Sequence, residues 1–195
     1  MTQPTREQFL KDIVDHKMTA VVDGGLYRHL RFGRPGTGVM HFDILTWPGY
    51  LAYVGDMGNF LFTRTTDMFE FFRDGTSELR ISPDYWAEKC VAHDRDEVTE
   101  YSPAKFRAAV ECRLNDEESV SNELREAVKR DVLSRADDGE HEARSAVREF
   151  ESEGFSFADF HEHNLRDYTY RFIWCCYAIV WGIKTYDQAS VKVMA

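Results

Sequence analysis

His41 and Asp43 stand two residues apart in Met40-His41-Phe42-Asp43, a spacing that puts imidazole and carboxylate on one face of a β-strand. Asp159, His163 and Asp167 recur at every fourth position, which on a helix stacks a carboxylate, an imidazole and a second carboxylate along one side. If the strand pair met that ladder in space, their oxygen and nitrogen atoms could surround a divalent cation. Such a cation activates water against a phosphodiester. These five residues are the catalytic candidates of a metal-dependent phosphoesterase or nuclease. His161 and His163, two apart, would point away from each other on a helix and form no metal pair. In a chain that is 30% charged, such spacings also arise on solvated surfaces, the plainer reading of all five.

Other catalytic signatures are missing. The sequence has no GxxxxGK[ST], no HExxH, no GxSxG and no Cys/His spacing of the zinc type. Gly33-Arg34-Pro35-Gly36-Thr37-Gly38 has the composition of a phosphate-cradling loop. It joins two strand-like segments, however, whereas phosphate loops precede a helix whose amides bind the anion; it reads as a hairpin turn. The four cysteines, Cys90, Cys112, Cys175 and Cys176, include no CxxC pair and fit small core residues of a reducing cytoplasm. No metal and no cofactor is implied, and a binding protein is expected ahead of an enzyme.

Charge supplies the other candidate surface. The 195 residues hold 24 Lys+Arg against 34 Asp+Glu, a net charge of -10, which argues against direct binding to a nucleic-acid backbone. Residues 116–153 alone carry 13 acidic side chains against Arg125, Lys129, Arg130, Arg135, Arg144 and Arg148. The surplus falls on two adjacent helices and their turn. Asp116, Glu117, Glu118, Asp137, Asp138, Glu140 and Glu142 are the partner-binding candidates. Carboxylates spaced along helices can imitate phosphates to a protein with a basic surface; the plainer alternative is a solubilising face.

The elements that must position these residues follow from periodicity. Thr5 to His16 reads as an amphipathic helix with a Thr5/Gln8 capping pattern. From Ala20 to Arg64 apolar residues alternate and turn chemistry punctuates them, notably at Trp47-Pro48-Gly49-Tyr50, so four to five antiparallel strands are expected. His41 and Asp43 should lie on a central one. Beyond Thr66 the pattern is helical: Ser82-Pro83 and Ser102-Pro103 open helices, and Val120, Leu124, Val128 and Val132 form a stripe. Another helix runs from Glu140 to Glu151. Gly154 ends it, Ser156 caps the next, and an aromatic helix follows from Tyr168 to Tyr186. Its uncharged run, Phe172 to Ile183, is too short for a membrane span, which needs about 20 residues. It should therefore be buried, with Trp174, Ile179 and Val180 nearly inaccessible. The expected fold is α+β: an N-terminal helix, the meander, then an all-helical C-terminal half packed on the sheet. One domain spans 1–195, with 1–64 forming the sheet and 65–195 the helical half.

Met40-His41-Phe42-Asp43, Trp47-Pro48-Gly49-Tyr50, Gly55-Asp56-Met57-Gly58, Asp67-Met68-Phe69-Glu70-Phe71-Phe72, Tyr85-Trp86-Ala87-Glu88-Lys89 and Trp174-Cys175-Cys176-Tyr177 resemble a family of small proteins encoded by tailed bacteriophages and prophages. The likeness runs along most of the chain, and the Gly-Asp-Met-Gly turn with the Asp-Met-Phe helix is its most specific part. The resemblance implies a phage accessory protein in the cytoplasm of a bacterial host, and it transfers no catalytic residue. Small acidic phage proteins often occupy host defence machinery, as anti-CRISPR and DNA-mimic proteins do, so the expected partner is a host protein with a basic surface. A structural phage protein with an apolar, self-associating interface is the third reading. Met1 to Lys17 has no apolar stretch of the secretory type, and neither membrane nor nucleic acid is expected as a direct partner.

Overall fold

The structure, a computed structural model, describes residues 3–73, 75–76, 78–94, 98–117 and 119–194. The chain forms two compact units, one from Met1–Val98 with Tyr168–Ala195 and one from Thr99–Asp167. The division therefore falls elsewhere than between residues 64 and 65.

The first unit opens with α1 (Arg6–Asp12), where the Thr5 hydroxyl accepts from the Gln8 amide at 3.2 Å. The helix stops short of His16 because strand pairing begins at Lys17. Six strands follow in a purely antiparallel meander: β1 (Lys17–Gly24), β2 (Tyr27–Gly33), β3 (Phe42–Trp47), β4 (Tyr50–Gly55), β5 (Gly58–Thr63) and β6 (Cys90–His93). The turn at Pro48-Gly49 needs its glycine, whose φ is +87°, and across it Trp47 stacks on Tyr50 at 5.3 Å. The sixth strand lies in the half expected to be wholly helical, between which and β5 come α2 (Met68–Phe72) and α3 (Pro83–Ala87).

Alternation gives the sheet one apolar face. Leu30, Ile44, Tyr53 and Phe60 lie in register across four strands, Phe32 faces Phe42, and all six are buried. Against them lies α7 (Tyr170–Met194), whose Trp174 and Ile179 are 0% and Val180 1% exposed, as the aromatic run implied. Burying each such side chain contributes about 1.5–3 kcal/mol. The approach is close at Gly182, where an added Cβ would stand 2.7 Å from the Ile44 Cδ1.

This unit also has an internal polar anchor. Arg28, at the start of the core face of β2, donates twice to the Asp67 carboxylate at 3.0 and 3.1 Å, and its guanidinium lies 4.3 Å from the Phe69 ring centre. Asp67 also caps α2 by accepting from the Phe69 amide. One carboxylate thus joins the meander to the helix after it.

In the second unit β7 (Thr99–Tyr101) leads into α4 (Pro103–Asn115), α5 (Asn122–Asp131) and α6 (Glu140–Glu149). Ser102 and Ser121 cap α4 and α5 through their hydroxyls. Phe106, Val110, Val128, Val132 and Ala143 are fully buried in a core of its own. Beyond α6 the chain departs from the helical expectation. β8 (Glu151–Ser152) and β9 (Phe155–Ser156) form a hairpin, a 3-10 turn spans Phe160–Glu162, and β10 (Arg166–Tyr168) pairs with β7. Core burial imposes the change: Glu153 and Gly154 both take positive φ, reversing the chain, while Phe155 and Phe157 alternate into the core.

Two glycines test the packing. Alanine at Gly55 would bring its Cβ to 2.4 Å from the His41 carbonyl oxygen, a backbone atom held by the Asp56 amide. Gly55→Ala is expected to lower stability by about 1–3 kcal/mol in urea unfolding. Gly182→Ala should cost less, because alanine gains about 1 kcal/mol in helix propensity and the Ile44 methyl can turn aside.

Candidate functional site

Asp43 lies on central strand β3, as expected, but it is already occupied. Its carboxylate accepts from Arg31 Nε at 3.0 Å, Arg31 Nη2 at 2.9 Å and His29 Nε2 at 2.6 Å. The outer face of the sheet builds this cluster: Arg31 pairs with Asp43 across β2 and β3, and His29 is one alternation away. Burial would raise the Asp43 carboxyl, yet the Arg31 and His29 hydrogen bonds outweigh it and hold it below the ordinary value. His41 does not join the cluster. It precedes β3, because Met40 takes a φ of +56° and delays the strand, and its Nδ1 donates to the Gly38 carbonyl at 2.6 Å.

The helical ladder does not form either. Asp159 takes a left-handed φ of +57° ahead of the 3-10 turn, His163 follows that turn in extended backbone, and Asp167 lies on β10 paired with Lys105 at 2.9 Å. The fourfold spacing belongs to no common helix, so the five catalytic candidates are not assembled as the enzyme reading required. Among the described residues no group of three or more His, Cys, Asp and Glu is placed to hold a metal ion.

The acidic candidates all belong to the second unit. Glu118 lies outside the described residues. Asp116 and Glu117 stand at the C-terminal end of α4, whereas Arg107, nearer its start, pairs with Asp137. Nine residues of helix separate Arg107 from Asp116, about 14 Å along the axis. The candidates therefore divide between the two ends of α4. Several carry arginine counter-ions: Glu117 with Arg113 at 2.7 Å, Asp138 with Arg135 at 3.1 Å, and Glu140 with Arg144 and Arg166 at 3.1 and 2.9 Å. Among the described residues Asp116 and Glu142 have no ion-pair partner, nor do the exposed Glu111, Glu123 and Glu126, which sequence reasoning did not single out. Their signal was available, since they occupy the solvent positions of the α4 and α5 patterns.

His29 and Arg31 were also missed. Alternation with the buried Leu30 and Phe32 marks them as outward-facing, but only strand register shows that Arg31 meets Asp43.

Together the geometry defines a protein of the α+β class, a meander with a long covering helix and a helical unit set into its sequence. Comparison with family models, curated proteins and solved structures finds no match. Among the described residues no helix is long and apolar enough to cross a membrane.

Both Asp43 and Asp67 are held below the ordinary carboxylate range; for Asp67, burial is outweighed by the hydrogen bonds from Arg28 and the Phe69 amide. A depressed folded value stabilises the protein above the unfolded value of about 3.9 and is lost as pH falls below it. Urea midpoints should accordingly drop below about pH 4, and Asp67→Asn should flatten that drop. At neutral pH Asp67→Asn should cost about 3 kcal/mol, because it strands the Arg28 guanidinium, whose side chain is only 8% exposed. Asp43→Asn should cost less, since Arg31 remains open to water.

Proposed function

We propose that this is a phage-encoded accessory binding protein that docks its acidic helical unit on a basic, nucleic-acid-handling surface of a host complex. The observation that carries the reading is the partition of charge. Residues 99–167 hold 18 acidic and 10 basic side chains, so this unit bears -8 of the net -10. A surface that gathers Lys and Arg to hold nucleic acid would attract such a unit over the screening length and be blocked by it. The unpaired carboxylates supply the field, while the arginine-paired ones are partly neutralised by partners that mostly stand one turn away. The analogy is to anti-CRISPR and DNA-mimic proteins, and the resemblance to phage-encoded proteins supports it.

The test uses carboxylates whose loss breaks no ion pair. Reversing Glu111, Asp116, Glu123 and Glu126 to Lys brings the net charge of the unit to about zero. Each exposed change should move stability by no more than about 0.5 kcal/mol. Wild-type protein should capture a nucleic-acid-handling complex from bacterial lysate at low salt, release it as salt rises, and lose it to added duplex DNA. The reversed variant should capture none. Capture that resists salt and survives the four reversals would overturn the reading.

A further inference from the structure

The sheet carries a second charged feature of opposite sign. A cleft of about 500 Å³ opens on the outer face at the end of β1 and β2, where the loop 34–41 folds over. Register explains its wall. Lys17 is opposite Gly33 and Thr19 is opposite Arg31, so Lys17 and Arg31 are diagonal neighbours on one face. Diagonal positions across antiparallel strands lie about 7–8 Å apart. Arg34 and His41 close the cleft from the loop, and among the described residues no carboxylate lines it. Clefts elsewhere in the same unit have one: Glu78 beside Trp181, and Asp187 beside Arg73.

Two acids outside the lining are bound to the cations of this cleft. Asp43 holds Arg31 through Nε and Nη2, and Asp15 holds Arg34 through Nη2 at 2.9 Å. Each guanidinium is thereby fixed in direction and keeps further N–H groups for a ligand. Among the described residues Lys17 has no ion pair, on a chain of net charge -10. Thr37 accepts from the Val39 amide at 3.1 Å, which leaves its O–H free to donate. His41, whose Nδ1 proton is given to Gly38, presents Nε2 as its remaining nitrogen. Gly33 adds no side chain to the lining: a Cβ there would meet the His41 Cβ at 3.5 Å and its Cα at 4.0 Å.

We propose that this cleft is a binding site for a small phosphate-bearing molecule of about nucleotide size. Two guanidinium groups, an ammonium and a hydroxyl donor converge without a carboxylate, which is the chemistry of a phosphate group. The volume exceeds what a single inorganic phosphate fills and falls in the usual range for small-molecule sites, about 300–1,000 Å³. Bound phosphate would also relieve the repulsion between Lys17 and Arg31. The glycine-rich loop contributes by bringing Arg34 and His41 to the strands, in place of the helix N-terminus used by other phosphate loops. This site is independent of the acidic unit.

Calorimetric titration of the full chain with inorganic pyrophosphate, and separately with adenosine triphosphate, tests it. Saturable binding of either is expected. Lys17→Gln with Arg34→Gln should weaken it at least about tenfold, roughly 1.4 kcal/mol, and Gly33→Val, which adds a side chain to the lining, should abolish it with unchanged circular dichroism. Should Gly33→Val fail to fold, the double Gln variant decides. Lys129→Gln, in the other unit, should leave the affinity unaltered. Equal affinity for the two probes would mean that phosphate alone is read; tighter triphosphate binding would add a contact to the nucleoside; both uphold the site. No saturable binding, binding indifferent to the double Gln variant, or preference for a duplex oligonucleotide over both probes would overturn it.

Discussion

The structure depends on covering one aromatic sheet face. A meander with Phe32, Phe42, Tyr53, Phe60 and Phe62 on a single side cannot leave them in water, and no helix within the first 64 residues is large enough to cover them. The cover is α7, which comes from the other end of the chain. Its packing is aromatic on aromatic: Trp174 meets Phe9 edge-on at 5.1 Å and Phe42 at 5.9 Å, while Trp181 meets Phe32 at 5.5 Å. Such pairs each add about 0.5–1.5 kcal/mol beyond area burial. The sheet is stable only once a segment more than a hundred residues distant has returned to it.

That requirement makes residues 99–167 an insertion within the sequence of the first unit. The unit is closed where the chain departs and re-enters, for the Thr169 amide donates to the Val98 carbonyl at 3.0 Å. The inserted stretch has its own caps and its own buried aromatic and aliphatic residues, so its surface is free to differ in character. It does differ, holding most of the negative charge, while the sheet unit is near neutral and concentrates cations beside β1 and β2. The proposed docking surface and the proposed anion site thus fall on different compact units of one chain.

The charged pairs of the sheet unit divide by the side of the sheet on which they sit. Arg28 and Asp67 are drawn inside and make a joint between sheet and helix, a role that needs both partners because either alone would be a stranded charge. Arg31, Asp43 and His29 remain on the outer face. There the carboxylate serves as a brace for cations that stay accessible to solvent.

Much of this was legible without coordinates. Period-two alternation from Ala20 to Arg64, the Pro48-Gly49 turn and the Ser82-Pro83 and Ser102-Pro103 pairs determine strands, a connection and two helix starts, because these are short-range preferences of the backbone. The apolar run Phe172–Ile183 likewise determines that its helix is buried. Three things were decided only by tertiary structure. The fourfold spacing of Asp159, His163 and Asp167 lost to the chain reversal at Glu153-Gly154 and the alternating phenylalanines, since core burial outweighs helical periodicity in so short a segment. The ion pairs that join Asp43 to Arg31 and Glu140 to Arg166 depend on partners brought near by strand register and chain packing, whereas Arg113–Glu117 and Arg144–Glu140 are one-turn pairs that spacing alone supplies. The cation cleft depends on which residues of β1 face which residues of β2. Sequence records the type and spacing of each charged group; whether a charge meets its opposite, a like charge or water is set by long-range pairing, and that pairing exists only in the folded chain.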